Sequence, residues 1–269
     1  MELQDLILDE RSDGVWVVTL NRPERLNAMR QRTVHEMLPI LERAARADEA
    51  RVLVITGEGR GFSSGADLLG GDAPEEGAAM TEADGYRRMR EGPIGHWGVF
   101  FSALGHFPKP YIAAVNGVAA GAGLSLALAA DIRIASTEAR FISVFVRRGL
   151  TPDTGTSFHL PRLIGDSRAL EMMYTGDAID AATAERWGLV SRVVEPDRLM
   201  PATLELAGRI ATGPSVTIEL TKRLVRDLTH GDLDRQLQNE AWAIGIQTED
   251  RMEGGKAFRE RRDPAWKGR

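Results

Sequence analysis

Residues 57–67 read Gly-Glu-Gly-Arg-Gly-Phe-Ser-Ser-Gly-Ala-Asp, and residues 116–123 read Asn-Gly-Val-Ala-Ala-Gly-Ala-Gly. Each stretch follows an apolar, strand-like run, at 52–56 and 112–115, and each leads into a segment that can become a helix. Such loops can present backbone N–H groups beside a helix N-terminus. Glycine is needed where the backbone must approach a ligand or adopt a positive φ. Two such loops placed face to face would form an oxyanion hole, which indicates chemistry at an acyl carbonyl.

The overall composition limits the possible classes of protein. The chain has 269 residues, of which 43% are hydrophobic and 27% charged, which suits one large globular domain with a smaller appendage. A net charge of −5 argues against nucleic-acid binding. The absence of cysteine excludes disulfides, thiolate catalysis and cysteine-ligated metals. The acidic N-terminus is unlike a signal peptide, so we expect a soluble, cytoplasmic protein.

One uncharged run, residues 112–130, approaches the length of a membrane span. Asn116-Gly117 and the pair Gly121 and Gly123 place turn-forming residues in the middle of the run. We therefore expect a short buried strand followed by a small-residue helix, and no membrane segment.

Hydrophobic periodicity predicts a mixed α/β fold. The predicted strands are 5–8, 15–20, 52–56, 111–115 and 132–135, and the predicted helices between them are 30–47, 86–107 and 124–130. Beyond about residue 196 the pattern predicts helices alone, at 199–211, 215–228, 233–247 and 249–261. We therefore predict a core domain over residues 1–195 and a helical C-terminal subdomain over residues 196–269.

Gly61, Ser63 and Gly65 match the G-x-S-x-G pattern of serine hydrolases. That pattern places its serine at a sharp turn directly between a strand and a helix. Residues 57–62 intervene here, and no convincing helix pattern follows Asp67. The hydrolase interpretation stays open but is disfavoured.

The motifs also occur in a specific order along nearly the whole chain. They are LNRPERLNAM at 20–29, FSSGADL at 62–68, AVNGVAAGAG at 114–123, GLTPD at 149–153, LPRLIG at 160–165, TGD at 175–177, AERWGLV at 184–190 and EGGKAF at 253–258. In this order the sequence resembles the crotonase, or enoyl-CoA hydratase/isomerase, superfamily.

The resemblance implies an α/β fold, a crotonase-like spiral of β-β-α units with a helical C-terminal trimerisation subdomain. It implies a homotrimer or a dimer of trimers that acts on acyl-CoA thioesters, with coenzyme A present only as part of the substrate. By position, the N–H groups of Ala66 and Ala122 would bind the thioester oxygen and stabilise the enolate. Ala122 stands where the family usually has glycine, and it retains the N–H donor.

The resemblance also indicates residues that contact the substrate. Arg25 and Leu26 resemble the positions that flank adenine and pantetheine, and Arg25 could offer charge to a phosphate. Phe258 and Arg261 resemble a C-terminal pair that contacts coenzyme A, often from a neighbouring subunit. A solvated helix face is the alternative for these long side chains. Further contacts implied by position are Ser64, Asp67, Leu68, Leu69 and Phe145.

The chain departs from the hydratase pattern at its carboxylates. The two positions that hold glutamate in typical hydratases hold Ser125 and Phe145 here. Hydration is best served by two groups that hold and activate water, so ordinary hydratase activity is doubtful. Asp153 remains, and an aspartate at this position resembles enoyl-CoA and epoxyphenylacetyl-CoA isomerases and also aryl-CoA dehalogenases.

Asp153 could act as a single base, which is all that double-bond isomerisation requires beside an oxyanion hole. If the apolar residues 144–146 line the pocket, they should raise the pKa of Asp153. The alternative is that Asp153 caps the helix that follows. His96 is a second acid–base candidate because it lies in the variable segment that covers the acyl pocket in the family.

No histidine or acid cluster has metal-ligand spacing, and we expect no metal. Three classes therefore remain: a CoA-dependent enzyme, an acyl-CoA binder without chemistry, and a serine hydrolase. We favour the enzyme, with isomerisation ahead of hydration or another enolate reaction.

Overall fold

The computed structural model describes residues 3–68, 95–226, 233–246 and 248–269. Ten strands are present in these residues: β1 (Leu6–Glu10), β2 (Val15–Leu20), β3 (Val52–Gly57), β4 (Gly61–Ser63), β5 (Tyr111–Val115), β6 (Val118–Ala120), β7 (Ile132–Ser136), β8 (Arg140–Ile142), β9 (Ala178–Asp180) and β10 (Arg192–Val194). The same residues form ten α-helices: α1 (Gln31–Arg46), α2 (Gly95–Gly105), α3 (Ala122–Ala129), α4 (Thr156–Ile164), α5 (Asp166–Thr175), α6 (Ala181–Trp187), α7 (Leu199–Ala211), α8 (Ser215–Arg226), α9 (Leu233–Gly245) and α10 (Glu249–Glu260).

The larger sheet has six strands in the order β1-β2-β3-β5-β7-β10. β1 pairs antiparallel with β2, and every other neighbouring pair is parallel. Strands buried on both faces read as continuous apolar runs, and every residue of β3 and β5 is buried. This sheet is the rigid support from which the glycine-rich stretches emerge.

The smaller sheet has the order β4-β6-β8-β9. Three successive strand pairs, β3/β4, β5/β6 and β7/β8, each place the first strand in the larger sheet and the second in the smaller one. Helices α3 and α4 follow the second and third pairs. The repetition produces a spiral of strand–strand–helix units. Because β4 pairs with β6, the two glycine-rich stretches lie side by side.

Helices cover both faces of the larger sheet. On one face the main core includes Trp16 and Tyr111 from the sheet and Met37 from α1. On the other face, Leu199 and Ala207 of α7 pack against the β-branched residues of β2 and β3. The first helix of the predicted C-terminal subdomain thus contributes to the core of the sheet. The boundary between residues 195 and 196 stays a prediction.

Asp131, between α3 and β7, fastens α8 to the spiral. Its carboxylate lies 2.9 Å from Nζ of Lys222 and 3.1 Å from Nε of Arg226. Arg226 also donates to the carbonyls of Ala129 and Ala130, at 2.8 Å each. We call these five residues the Asp131 clamp. It holds α8 against the C-terminal end of α3.

The predicted elements agree closely with the described residues. The strands 15–20 and 111–115 and the helix 199–211 have the predicted bounds. The helix predicted at 124–130 begins earlier, at Ala122, because Gly121 starts it with a φ of +52°. The helix predicted at 86–107 can be compared only over Gly95–Gly105.

The uncharged run 112–130 forms most of β5, then β6 and α3. The buried strand and the small-residue helix were predicted, and β6 between them was not. In the part of the chain that the structure describes, no helix combines the length and apolarity that crossing a membrane requires.

Candidate active site

Two asparagine side chains hold the first glycine-rich loop. Nδ2 of Asn27 donates to the carbonyls of Glu58 and Gly61, at 2.9 and 2.7 Å. Nδ2 of Asn116, from the second loop, donates to the carbonyl of Gly59 at 2.8 Å. These bonds give partners to loop carbonyls that lie outside the β-sheet hydrogen bonding, and they fix the first loop against the second.

The loops also touch through glycines that leave no room for a side chain. A methyl group built on Gly123 would lie 2.2 Å from the carbonyl oxygen of Ser63. One built on Gly65 would lie 2.8 Å from the carbonyl oxygen of Ala120 and 3.3 Å from the amide nitrogen of Ala122. Gly65 also has a φ of +102°, which disfavours any other residue. The first loop is therefore seated against the first turn of α3.

Two backbone amides are left unused at this contact. The amide of Met29 donates to the Gly65 carbonyl and the amide of Asp67 donates to the Met29 carbonyl, so the ladder bypasses the N–H of Ala66. Ala122 is the first residue of α3, where an N–H has no acceptor within the helix. Among the described residues, neither amide donates a hydrogen bond. The contact thus has the kind of donors that an oxyanion hole requires.

The predicted coenzyme A residues Arg25 and Leu26 lie beside the first loop. The Ser64 amide donates to the Leu26 carbonyl at 2.9 Å, and the Ser64 hydroxyl donates to the Arg25 carbonyl at 3.2 Å. The Arg25 side chain is exposed. The structure therefore brings Arg25, Leu26 and Ser64 together next to Ala66.

Other predicted contact residues lie in different surroundings. Asp67 is buried and accepts a 2.8 Å bond from Arg22, which gives it a structural ion pair. Leu68 is 51% exposed and Phe145 is 6% exposed. Leu69 lies outside the described residues. Phe258 is 86% exposed at the C-terminal end of α10, and Arg261 follows it, so a contact with a neighbouring subunit stays a prediction for both.

Asp153 lies at the wall of a cavity of about 1150 Å³. Trp97 and Phe101 of α2, Leu128 of α3 and Leu163 of α4 make much of that wall apolar. Among the described residues that line it, Asp153 is the one acid. The cavity therefore combines a largely apolar wall with a single carboxylate, as small-molecule sites often do, whereas Ala66 and Ala122 are not among the residues that line it.

Asp153 is exposed to solvent at the cavity, yet its surroundings shift the pKa of its carboxyl upward. Desolvation at the cavity wall raises the pKa of Asp153 above its usual range, and a 3.1 Å hydrogen bond from the Thr154 hydroxyl partly opposes the rise. The apolar residues beside it in the cavity are those of α2, α3 and α4, whereas residues 144–146, predicted to line this pocket, do not line the cavity.

The helix-cap interpretation of Asp153 is wrong. The N-cap of α4 is Gly155, which has no side-chain cap bond. Asp153 contributes only its backbone carbonyl, which accepts from the Thr156 amide at 2.9 Å. Its carboxylate remains at the cavity and accepts from Thr154.

Ser125 connects Asp153 to the second loop. Its hydroxyl lies on α3, fully buried, and 2.6 Å from the hydroxyl of Thr154. It also donates to the Gly121 carbonyl at 3.3 Å. The position that holds glutamate in typical hydratases thus holds a hydroxyl that belongs to an internal hydrogen-bond network.

His159 was not distinguished from the other histidines by the sequence, yet it lines the same cavity. Burial lowers the pKa of His159 to about 4, and the charges of Arg226, Arg133 and Arg162 add to the shift. The imidazole is therefore neutral at pH 7. The sequence signal that could have indicated this was the position of His159 about one helical turn after Gly155, close to Asp153 in the chain.

The geometry does not favour the hydrolase alternative. Ser63 is fully buried in β4, and its hydroxyl donates to the Asn27 carbonyl at 2.8 Å.

His96 belongs to α2, but its side chain lies outside what the structure describes, so its proposed role stays a prediction. No three acids or histidines in the described ranges are grouped to hold a metal ion.

Comparison with known proteins identifies the class. The sequence profile of the enoyl-CoA hydratase/isomerase family matches residues 10–269. The chain is 35% identical over 269 residues to the 1,2-epoxyphenylacetyl-CoA isomerase of Escherichia coli K12, covering 99% of this chain and 100% of that protein. It is 35% identical over 265 residues to the crotonyl-CoA hydratase of Syntrophomonas wolfei, covering 97% of each.

A solved enoyl-CoA hydratase from Bacillus anthracis superposes with a TM-score of 0.87 at 34% identity, over 99% of this chain and 100% of the other. The chain therefore belongs to the enoyl-CoA hydratase/isomerase family. The crotonase-like α/β fold with C-terminal helices, predicted from the ordered motifs, is confirmed. The relatives include both isomerases and hydratases, so membership alone fixes the thioester class and not the reaction.

Proposed function

We propose that this protein is an isomerase that moves the double bond of an enoyl-CoA thioester. The single observation that carries the proposal is Asp153, the one acid among the described residues of the cavity wall. Isomerisation needs one group that removes a proton and returns it elsewhere, together with donors for the enolate oxygen.

In the proposed reaction the thioester oxygen lies against the amides of Ala66 and Ala122. Asp153 removes a proton from the carbon α or γ to the thioester, and the electron pair moves toward the oxygen to form a dienolate. The same carboxyl then returns the proton at the other carbon. The double bond has moved, and the mass of the substrate is unchanged. The partial positive charge at the start of α3 supports the developing negative charge.

Hydration is the less favoured reaction for this site. It requires groups that position a water molecule, whereas Ser125 is buried and in contact with Thr154 and Thr156. Phe145 is apolar and also buried. Because one relative is a crotonyl-CoA hydratase, the test below also detects water addition.

Substrate binding extends beyond the reacting carbons in this proposal. Arg25 and Leu26, held beside Ser64, would contact the adenosine and pantetheine parts of coenzyme A. Phe258 and Arg261 would complete that site from a neighbouring subunit of a homotrimer or a dimer of trimers. The exposed position of Phe258 is what supports this arrangement.

The test is incubation with enoyl-CoAs of differing chain length and double-bond position, followed by chromatography and mass spectrometry. We expect a new retention time at constant mass. We expect Asp153→Asn to lose at least 100-fold in kcat, since general acid–base groups contribute about 10²–10⁴-fold. Asp177→Asn, at an exposed carboxylate paired with Arg147, is the matched control and should keep its rate.

Three results would contradict the proposal. A mass gain of one water would indicate a hydratase. Binding of several acyl-CoAs with no turnover would indicate a binding protein. Full isomerase activity in Asp153→Asn would show that another group carries the proton.

A further inference from the structure

A chain of hydroxyl groups runs from Asp153 to the second glycine-rich loop. The hydroxyl of Ser125 lies 2.6 Å from those of Thr154 and Thr156 and 3.3 Å from the carbonyl oxygen of Gly121. The hydroxyl of Thr154 lies 3.1 Å from Oδ1 of Asp153. Ser125 and Thr156 are fully buried, so the inner bonds of the chain are shielded from water, whereas the bond between Thr154 and Asp153 lies at the exposed cavity wall.

The direction of each bond follows from the number of hydrogens. Each hydroxyl has one hydrogen to donate, and an ionised carboxylate only accepts. When Asp153 is ionised, Thr154 donates to it, and Ser125 donates to Thr154. The hydrogen of Ser125 is then not available to the Gly121 carbonyl. Thr156 can donate to Ser125 in this arrangement of the hydroxyl hydrogens and also in the reversed one.

The far end of the chain is the peptide group that carries a proposed oxyanion donor. The carbonyl of Gly121 and the N–H of Ala122 belong to the same peptide unit. That carbonyl already accepts the Ser125 amide at 3.0 Å. A further hydrogen bond to a peptide carbonyl polarises the unit and strengthens its N–H as a donor.

We propose, on the basis of the function above, that Ser125 and Thr154 are positioning residues of a hydroxyl relay that links the protonation of Asp153 to the donor strength of the Ala122 amide. Neither side chain needs to touch the substrate. Each acts through another group, Thr154 on Asp153 and Ser125 on the Gly121–Ala122 peptide.

The relay changes state when Asp153 takes the substrate proton. The neutral carboxyl accepts more weakly and can donate to Thr154, which then donates to Ser125, and Ser125 donates to the Gly121 carbonyl. The hydroxyl hydrogens only rotate, and no covalent bond within the relay breaks. The abstracted proton stays on Asp153. The Ala122 amide is therefore strengthened at the moment when the thioester oxygen carries the enolate charge.

The backbone of Thr154 supports this assignment. Its φ is +50°, in a region that β-branched residues rarely adopt, and Gly155 follows with a φ of +89°. The conformation places the Thr154 hydroxyl within reach of both Asp153 and Ser125. Strained positions of this kind are concentrated at functional sites.

Other charges also bear on the ionisation of Asp153. The titratable and charged groups that share its cavity are His106, just after α2, His159 and Arg162 from α4, and Arg223 and Arg226 from α8. A test of the relay must therefore cut the relay while leaving these groups and the Asp153 charge in place. Thr154→Val does this, because valine keeps the β-branched shape and replaces the hydroxyl with a methyl group, so that Asp153 still ionises, although at a higher pH.

The test is a pH titration of the substrate-free protein by NMR, with ¹³C in glycine carbonyls and ¹⁵N in alanine amides. The sequence has three Gly-Ala pairs, 65–66, 77–78 and 121–122, so the selected spectrum contains both proposed oxyanion amides and one other. We expect the Ala122 amide to shift with the ionisation of Asp153. The Gly65 carbonyl accepts from Met29 and lies outside the relay, so Ala66 should shift less.

The variants distinguish a hydroxyl relay from a purely structural role of these side chains in packing. Thr154→Val and Ser125→Ala should abolish the Ala122 shift, and Thr154→Ser should retain it. Thr156→Val removes an equally buried hydroxyl outside the switching path and should also retain it. The relay would be overturned if the pH-dependent shift of the Ala122 amide survived Thr154→Val. It would also be overturned if Thr156→Val abolished that shift as well.

Kinetics provides a second readout with the active substrate. Ser125→Ala should lower kcat about twofold to twelvefold at unchanged KM, which corresponds to the loss of one hydrogen bond of about 0.5–1.5 kcal/mol. Adding Thr154→Val to it should cost little more, because the two residues act as one unit. If the two substitutions lowered kcat independently, so that their effects multiplied in the double variant, the relay would be contradicted. Because the NMR titration uses no substrate, it stands or falls separately from the isomerase proposal.

Discussion

Asp153 is a carboxyl whose surroundings disfavour its charged form, and its reactivity should show this in a pH profile. Desolvation raises the pKa of Asp153, against the smaller effect of Thr154. The base must be ionised to accept a proton, so kcat/KM should fall as the pH is lowered through this raised pKa. The acid limb should therefore lie above the range of an ordinary aspartate.

A profile of kcat/KM between pH 4 and 8 measures this limb. Thr154→Val removes a bond that favours the ionised form, so it should move the limb to higher pH. Asp153→Glu should keep an acid limb at a lower rate. A flat profile in this range would be inconsistent with Asp153 as the base.

His159 should make the stability of the fold depend on pH. Burial and the neighbouring arginines lower the pKa of His159 from 6.5 to about 4. Between these values the unfolded chain binds a proton that the folded chain does not, so stability is lost as the pH falls below about 6.5. The thermal midpoint should drop between pH 7 and pH 5, and His159→Gln should reduce that drop. An equal drop in both proteins would refute the assignment.

At the scale of elements, the contact between α3 and β4 depends on the absence of a side chain at residue 123. A Gly123→Ala methyl would lie 2.2 Å from the Ser63 carbonyl, so β4 or α3 must move. We expect about 1–3 kcal/mol of destabilisation in a urea unfolding experiment, together with a loss in kcat/KM.

Gly208→Ala in α7 is the matched control for this substitution. A methyl group on Gly208 meets no atom within 4 Å, and alanine stabilises a helix interior by up to about 1 kcal/mol relative to glycine. Its stability should be unchanged or higher. If Gly123→Ala were as stable and active as this control, the close approach of the two loops would not matter to the site.

The larger sheet could be predicted from the sequence, and the smaller one could not. Five of its six strands have five or six residues and lie at the predicted strand positions, whereas β10 has only three residues and was not predicted. β4 and β6 have three residues each, within or beside glycine, and give no periodic signal. The pairing of β4 with β6 is a tertiary contact that local patterns do not encode.

The candidate site divides in the same way. Asp153, Ala66 and Ala122 were found through motif order. The contact of Ser125 with Thr154 joins residues 29 positions apart and depends on the spiral. The only local sign was the run of hydroxyl residues after Asp153, which also suited a helix cap.

For the whole molecule, the apolar residues of the last helices predict self-association. The large apolar side chains left exposed on α9 and α10 are Leu233, Leu237, Trp242, Ile244, Met252 and Phe258. A monomer rarely exposes so many large apolar side chains on its last two helices. Light scattering should give three or six times the chain mass of 29.5 kDa.

Ile244→Asp should lower that mass, and Ile7→Asp, on the exposed side of β1, should leave it unchanged. Coenzyme A affinity should fall together with the mass if Phe258 and Arg261 serve a neighbouring subunit. A wild-type chain that stays monomeric at micromolar concentration would contradict the trimer.

The Asp131 clamp has a consequence for how such a protein can diverge. It fixes α8, which supplies Arg223 and Val225 to the cavity wall and none of the proposed reacting groups. Mutations along that helix can reshape the space for an acyl chain while the carboxyl and the amides stay in place. Substrate preference and reaction type can therefore drift independently during evolution, each under its own selection.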